Sequence, residues 1–507
     1  MNTALPCHFS RPDFTFWGNL VPLLVTLVTA FTVGCGGGTV SQSSGSTLSG
    51  NTTVTVLISS TANDQLAQFA LTFDSITLTN GKGNEITLFA APQITEFMHL
   101  NGTVEPLITV SVPQGIYTSA KASIGYSQFA CETIDPTNGY FSDNYYAQPS
   151  SPNVYLNLPE PFTISGTAMS LSLNLMVSES AKWTTCEANG LEPFSITPTF
   201  NLATVAIASQ PTNSANGKAT NLQGLIASVD DGGAVFSVAH DFISTGTGLS
   251  VAGDGSLWQV TPNGSTVYQG INGSSQLTVG MPLDMDAIIQ EDGSLLATRI
   301  AVYDTNPANL TVRSGPLMNT NEDWPGQSGL ALAAFGFESQ GILELAGGGP
   351  FFYFENAVFQ TSGQLTNMQS LPFPASFTAS NMVAGQNVYI STHAPSATTG
   401  YIPATTITLL PQTINGAVGA VTTIGSFTTY TVTLAEYDLF PTMAAQDNQT
   451  SILTNPGSVV VYVDSNTQRL NTIPIAVGSV VRFNGLVFND NGTLRMDCAQ
   501  VNDGVTE

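Results

Sequence analysis

The chain has 507 residues, a length that predicts roughly three or four domains. Hydrophobic residues make up 42% of it, enough for packed cores, but charged residues make up only 9%, against roughly 25% in an average soluble protein. Lys and Arg number 10 and Asp and Glu number 35, for a net charge of −25. This balance argues against nucleic acid as a partner and against docking on anionic lipid, because both need basic patches. The neutral polar, β-branched composition predicts an all-β protein that faces the outside of the cell.

Residues 1–35 have the organisation of an export signal, in which a polar start precedes an apolar core from Leu20 to Val33. That core is shorter than the roughly 20 residues of a membrane-spanning helix. At its end, Val33-Gly34-Cys35 resembles the bacterial lipoprotein box, in which the cysteine receives a diacylglycerol and becomes the mature N-terminus. The resemblance implies a lipid anchor on Cys35 at the cell envelope. Because Gly36 follows rather than Asp, it also implies sorting to the outer membrane, on its periplasmic or surface face.

The residues after Cys35 favour this interpretation. Residues 36–51 are rich in glycine and serine, which predicts a flexible tether that holds the next domain on the order of 20 Å from the anchor. A plain secretory signal that is cut elsewhere, with Cys35 incidental, is the alternative.

Three further cysteines follow the tether. Cys131 and Cys186 fall in one predicted domain and could form a disulfide in an oxidising periplasm, with two buried thiols as the alternative. Cys498 lies in an alternating strand pattern, which predicts a core residue. The chain has no CxxC pair, so zinc-ribbon or thioredoxin-like chemistry has no support.

Residues 52–208 predict a Greek-key β-sandwich, because short alternating strands are separated by turn residues. Asn80-Gly81 and the following Lys82-Gly83 mark a hairpin turn. The opening strands and the later PQGIYTSAKASIGY, with its Pro113, Gly115 and Tyr117, resemble an uncharacterised domain found at the head of bacterial envelope lipoproteins. The resemblance brings no catalytic residues.

After a linker at 209–219, the chain repeats a plan of strands that predicts three small OB-like β-barrels. We place them at 220–305, 339–411 and 412–507, with a connector at 306–338. Each opens and closes on a glycine suited to a bulge or tight bend, and the three pairs are Gly224 and Gly280, Gly341 and Gly385, and Gly416 and Gly478. Asp292-Gly293 and Asn491-Gly492 are predicted hairpin turns. These units resemble a second uncharacterised family, which occurs in tandem in bacterial lipoproteins.

Few side chains suggest chemistry. The three histidines after the signal, His99, His240 and His393, fall in different units and are expected to be surface or strand residues. Asp284 and Asp286 share a strand face, which we expect to be solvated. The sequence has no recognisable catalytic motif and predicts no enzyme, no cofactor and no metal site. A loose calcium-loop spacing at 319–323 lacks the glycine and the distal glutamate of an EF-hand.

The segment 138–155 is the strongest candidate for a ligand or partner loop. Aromatic faces among amides and hydroxyls suit stacking on sugars or contact with a protein, and the rings in question are Tyr140, Phe141, Tyr145, Tyr146 and Tyr155. Rings that cap the sandwich core are the alternative.

Three functions are compatible with these features. The first is a non-enzymatic, lipid-anchored envelope protein with a binding or surface-architecture role. The second is a carbohydrate-binding or carbohydrate-processing envelope lipoprotein. Besides the membrane, the expected partner of the protein is a glycan or another envelope protein. The third is a hydrolase that uses acids alone, which requires two carboxylates in one cleft about 5 to 10 Å apart. The first is preferred.

Overall fold

In a computed structural model of the chain, the described residues run from 48 to 505 with internal gaps. The gaps are 62–65, 90–91, 136–138, 159, 182–193, 209–210, 212–215, 231, 241, 246–247, 252–256, 308–309, 325–326, 333–350, 355, 364–367, 394–400, 436–437, 439 and 442–452. The predicted all-β class is confirmed, because strands dominate the described residues. Helices with both ends in the described ranges are one short α-helix, Val177–Ser180, and the 3-10 turns Met98–Leu100, Ser274–Gln276 and Met368–Ser370. No helix in these ranges has the length and apolarity needed to cross a bilayer.

The first part of the chain, here called the head, forms two sheets. Its strands are β1 (Asn51–Ser60), β2 (Leu66–Asn80), β3 (Glu85–Phe89), β4 (Gln93–Glu96), β5 (Glu105–Pro113), β6 (Gly115–Asp135), β7 (Gly139–Pro149), β8 (Asn153–Tyr155), β9 (Phe162–Ile164), β10 (Ala168–Leu175), β11 (Phe194–Ile196) and β12 (Phe200–Val205). One sheet has the order β12-β10-β1-β5, and the other has the order β11-β7-β6-β2-β3 with β4, β8 and β9 on its side. The sequence predicted antiparallel strands only, whereas β1 and β10 pair in parallel.

The two head sheets share one apolar core, because their strands alternate inward apolar and outward side chains. Val54 and Val56 of β1 face this core from one sheet, and Phe73 of β2 faces it from the other. The Phe73 ring lies with its centroid 6.2 Å from that of Phe97 and 5.6 Å from that of Phe200. These aromatic contacts fix the segment that follows β4.

The rest of the chain forms three modules. Module 1 comprises β13 (Lys218–Val229), β14 (Phe236–Ala239), β15 (Phe242–Thr245), β16 (Gly248–Val251), β17 (Leu257–Gln269), β18 (Pro282–Ile289) and β19 (Leu295–Ala301). Module 2 comprises β20 (Thr311–Trp324), β21 (Gln327–Leu332), β22 (Phe351–Tyr353), β23 (Val358–Thr361), β24 (Asn387–Thr392), β25 (Tyr401–Pro403) and β26 (Thr406–Leu409). Module 3 comprises β27 (Gln412–Ile424), β28 (Phe427–Leu434), β29 (Ser458–Val463), β30 (Gln468–Arg469), β31 (Val480–Asp490) and β32 (Thr493–Asp503).

All three modules share one pattern of strand pairing. In module 1, five strands close into a barrel in the order β13-β14-β17-β19-β18, while β15 and β16 form a separate hairpin. Within the barrel, only β17 and β19 pair in parallel. Module 3 repeats the same cycle as β27-β28-β29-β32-β31, with β29 and β32 in parallel. Module 2 has the same cycle, but each strand of its parallel pair is divided into two pieces. β22 pairs in parallel with β25, and β23 pairs in parallel with β26. The hairpin turns predicted at Asp292-Gly293 and Asn491-Gly492 are confirmed between β18 and β19 and between β31 and β32.

The three closing glycines predicted from sequence occupy one structural position. Gly280, Gly385 and Gly478 have φ values of +87°, +98° and +90°, in the left-handed region that favours glycine. Their amides donate to the carbonyl oxygens of Ile226, Leu317 and Val418, respectively, at 2.8–2.9 Å. The closing glycine therefore holds the start of the strand that follows it, β18, β24 or β31, against the first strand of its module.

This contact also shows which strand opens module 2. Leu317 lies in β20, inside the segment predicted as a connector, and Gly315 stands two residues before it, as Gly224 stands before Ile226 in module 1. Gly341, the opening glycine predicted from sequence, lies outside the described residues. Pro316 follows Gly315 and removes a backbone donor, so the segment lacks the usual pattern of a strand.

Residues 48–507 form one compact unit, and the modules and the head contact one another in sequence. Trp258 of module 1 donates its indole N–H to the carbonyl of Pro106 in the head at 2.9 Å, and Leu57 of β1 lies in the module 1 core. Gln386 of module 2 donates to the Val487 carbonyl of module 3 at 2.9 Å. Module 3 in turn contacts the head, where the Thr413 hydroxyl donates to the Asn101 carbonyl.

Replacing Gly293 with alanine should destabilise the protein through this packing. Gly293 has a φ of +85°, and an added Cβ would lie 2.2 Å from the Thr109 hydroxyl of the head. Backbone strain and overlap together predict a loss of about 2–4 kcal/mol, measurable by urea unfolding.

The matched control for Gly293→Ala is Gly232→Ala in the same module. Gly232 has a φ of +90°, but no described atom lies within 4 Å of an added Cβ, so only the strain of about 1 kcal/mol is expected. Equal losses in the two variants would contradict the proposed packing of the head on module 1.

Candidate functional site

The cysteines predicted from sequence are only partly described. Cys35 and Cys186 lie outside the described residues, as does the side chain of Cys131, whose backbone belongs to β6. The lipid anchor and the disulfide therefore stay predictions. Cys498 is confirmed as a buried core residue of β32, and burial raises the pKa of its thiol above the usual range.

The aromatic segment 138–155 is a pair of strands rather than an irregular loop. β7 pairs antiparallel with β6, and its register places Tyr140 opposite Ile134 and Tyr145 opposite Phe129. The side chains of Tyr140, Phe141, Tyr145 and Tyr146 lie outside the described residues. Tyr155 in β8 is described, and its side chain is 76% exposed. It is therefore available as a contact surface.

His99 stands at the centre of a buried acid cluster that sequence reasoning missed. Its Nδ1 lies 3.1 Å from Glu96 Oε2, and its Nε2 lies 3.2 Å from Glu105 Oε2. Glu96 also accepts hydrogen bonds from the backbone amides of Phe69 and Met98. The imidazole therefore bridges the end of β4 to the start of β5.

The charges of this cluster follow from its geometry. Burial alone would lower the pKa of His99, but the carboxylates of Glu105 and Glu96 outweigh it, so the pKa is raised well above 6.5. The histidine is then an imidazolium at neutral pH, with both ring N–H groups donating to carboxylates. The sequence expectation of a surface or strand histidine is wrong for His99, which lies in the 3-10 turn.

Module 3 holds the loop that follows this turn. The hydroxyl of Thr413 donates to the Asn101 carbonyl at 2.7 Å, and the amide of Asn502 donates to the Gly102 carbonyl at 3.2 Å. The Arg482 guanidinium donates to the Ser60 carbonyl at 3.4 Å. Because Pro106 directly follows Glu105 and accepts from Trp258, the His99 cluster lies between the head's contacts with modules 1 and 3.

A second buried cluster joins modules 1 and 2. Arg299 donates from Nη2 to Asp284 at 2.6 Å and from Nε to Asp286 at 3.0 Å. The Tyr303 hydroxyl donates to Asp284 Oδ2 at 2.7 Å, and the Ser362 hydroxyl of module 2 lies 3.0 Å from Tyr303 Oη. Asp284 is 1% exposed. The expectation of a solvated acidic face is therefore wrong, because the pattern of a half-polar strand does not distinguish solvent from a neighbouring module.

The electrostatics of this cluster keep Arg299 and Tyr303 protonated. Burial raises the pKa of Asp284, although Arg299 opposes it, and burial raises the pKa of Tyr303 well above 10.0. Arg299 stays charged, since its two acidic neighbours outweigh its burial and raise its pKa. The tyrosine therefore serves as a hydrogen-bond donor rather than as a base.

The other two histidines also make specific contacts. His393 Nε2 of module 2 lies 2.9 Å from Asp304 Oδ2, next to module 1. His240 is buried and stacks on Trp258 with ring centroids 5.0 Å apart. The sequence expectation for His240 is wrong, since it lies after β14 and inside the protein.

Asp497 of β32 is an isolated buried acid. It is 1% exposed, and its Oδ2 has no hydrogen-bond partner among the described atoms. Burial, together with the nearby Asp464, raises its pKa to about 7. It is therefore largely neutral in acidic solution.

These clusters do not assemble a metal centre. In the ranges that the structure describes, no group of three or more His, Cys, Asp or Glu side chains is placed to hold a metal ion. The acid pairs Glu96 with Glu105 and Asp284 with Asp286 are each bridged by a cation. Their arrangement joins parts of the fold.

Residues 223–301, which comprise most of module 1, are similar to a domain of unknown function (DUF5666). No curated protein matches the chain.

His99→Gln should remove both the bridge and a pH dependence of stability. The folded pKa of His99 exceeds its unfolded value near 6.5, so the bridge contributes fully below that pH and less as the pH rises through the folded pKa. At pH 6 the variant should lose about 3–5 kcal/mol, because two buried carboxylates lose their cation. Urea unfolding at several pH values measures this.

The control for His99→Gln is His393→Gln, whose ion pair with Asp304 is partly exposed and should contribute at most about 1 kcal/mol. Between neutral and alkaline pH, the stability of the wild type should fall more steeply than that of His99→Gln. Equal slopes in the two proteins would contradict the bridging role.

Proposed function

We propose that this protein is an exported, lipid-anchored protein of the bacterial cell envelope with a non-enzymatic binding or surface-architecture role. The observation that carries the proposal is the position of the buried polar clusters in the fold. The His99 cluster and the Asp284 cluster both lie where one part of the fold meets another. Groups with acid or base chemistry thus brace the contacts between parts of the fold, which supports a structural or binding role over a catalytic one.

We further propose that the three modules are OB-like repeats. The shared strand order, with β17 parallel to β19 in module 1 and β29 parallel to β32 in module 3, supports this. The common position of Gly280, Gly385 and Gly478 supports it as well. OB-like barrels are binding modules in many contexts, so the repeats favour a binding role over a catalytic one.

The anchor is tested by metabolic labelling. Full-length protein expressed in a bacterium with labelled palmitate should incorporate label and partition into detergent, whereas Cys35→Ser should do neither. The matched control is Cys7→Ser, which changes another cysteine of the same segment and should keep the label. Label retained in Cys35→Ser, or absent from the wild type, would refute the anchor.

Carbohydrate binding is the second candidate, and the exposure of Tyr155 favours it. An exposed ring on a strand surface can stack on a sugar face, which contributes about 0.5–1.5 kcal/mol for a comparable ring pair.

Tyr155→Ala should therefore weaken retention on the polysaccharides that bind the wild type by about threefold to tenfold. Affinity electrophoresis across a broad polysaccharide panel measures this, with Tyr268→Ala as the control, because Tyr268 packs partly buried against the module 1 core. No retention of the wild type on any polysaccharide would remove this candidate.

A further inference from the structure

A pocket between modules 1 and 3 gathers positive charge in a strongly acidic protein. Its volume is about 550 Å³, within the range of ligand sites, and it is lined from module 1 by Lys218 and from module 3 by Arg469, Ser426, Thr428 and the loop after β29. The chain has only 10 lysines and arginines against 35 acids. Two cations at one pocket are therefore an unusual concentration.

Most other described cations are committed to internal contacts. Lys121 pairs with Glu85, Arg299 with Asp284, and Arg495 with Asp490. Arg482 donates to backbone carbonyls. Among the described residues, by contrast, neither Lys218 nor Arg469 has a carboxylate within ion-pair distance, so both charges can meet a ligand.

The acid that lines the pocket, Asp464, is turned toward its own loop. Its Oδ1 accepts from the backbone amides of Asn466 at 2.8 Å and Thr467 at 3.2 Å. The Thr467 hydroxyl then donates to the Cys498 carbonyl at 2.8 Å, which ties the loop to β32. The loop is thereby held in one conformation, and preorganised polar groups bind at lower entropic cost.

We propose that this pocket binds an acidic sugar, with its carboxylate between Lys218 and Arg469. The hydroxyls of Ser426 and Thr428 and the amides of the loop suit the neutral hydroxyls of the same sugar. A carboxylate gains charge-assisted hydrogen bonds from both cations, and Arg469 presents a planar fork that matches it. The inference narrows the carbohydrate-binding candidate to uronic acids and does not depend on the lipid anchor.

The test is isothermal titration of the chain from residue 36 onward, which keeps the tether, with galacturonate. The neutral control ligand is the methyl ester of galacturonate, which has the same sugar ring without the charge. We expect binding of the acid form that weakens as salt rises, and at least about tenfold weaker binding of the ester. Equal binding of both forms, or no binding of the acid form, overturns the proposal.

Variants locate the site. Lys218→Gln and Arg469→Gln should each lower the affinity by about fivefold or more, and the double variant should abolish binding. Lys121→Gln removes the same charge from the head and should leave the affinity unchanged. An equal loss of affinity in Lys121→Gln would show that the net charge of the protein, and not this pocket, determines binding, and would overturn the proposed site.

Two further measurements separate this proposal from others. If acetate competes as well as galacturonate at equal concentration, the pocket takes only a charge, and the sugar class is wrong. If Tyr155→Ala abolishes binding while the Lys218 and Arg469 variants do not, the sugar binds at β8 and the pocket proposal fails. Thermal unfolding of each variant without ligand confirms that it is folded.

Discussion

The bridge from His99 to Glu96 and Glu105 is the interaction on which the arrangement of the described residues depends most. It fixes the turn between β4 and β5, and the residues on both sides of that turn contact different modules. A buried ion pair is seldom a net source of stability, because desolvation offsets the attraction. Its effect is geometric, since an imidazolium with two N–H donors satisfies both carboxylates in only one arrangement.

Each module contacts a neighbour through the same position of the strand that follows its closing glycine, which is β18, β24 or β31. Four residues after each closing glycine stand Asp284, Tyr389 and Arg482. Asp284 contacts Ser362 of module 2, and Arg482 contacts the head. The Tyr389 ring lies tilted against that of Tyr303, which follows module 1, with centroids 5.4 Å apart. The backbone of the repeat places this position on an outer face, and the side chain decides what can dock there. A carboxylate, a ring and a guanidinium thus give each junction a different chemistry, which disfavours exchange of one module for another.

Local features of the fold could be predicted from the sequence, because local physics determines them. Alternating strands and the turns at Asp292-Gly293 and Asn491-Gly492 need only neighbouring residues. The closing glycines were visible as a repeated pattern, and their positive φ explains why each is glycine. Module 2 is harder to delimit from the sequence, since Pro316 interrupts the strand pattern of its first strand, β20.

The candidate sites could not be predicted in the same way. Asp284 and Arg299 are 15 residues apart and meet only because β18 and β19 pair. The alternation that places Asp284 and Asp286 on one face was recognised, but the sequence does not show that module 2 covers that face. Lys218 and Arg469 lie in different modules, so only the folded chain brings them to one pocket. Long-range pairing decides these sites, and local patterns do not encode it.

The scarcity of positive charge makes the position of each cation informative. In a protein with a net charge of −25, a buried guanidinium such as that of Arg299 compensates acids that would otherwise be desolvated and unpaired. A cation left at the surface lies in a field of surrounding acids that lowers its attraction for distant anions, so long-range steering cannot be its role. Lys218 and Arg469 can therefore act only at short range, on an anion that also gains hydrogen bonds from neutral groups. A ligand with one charge and many hydroxyls meets both requirements, whereas a highly charged polymer such as nucleic acid would be repelled before it reached the pocket.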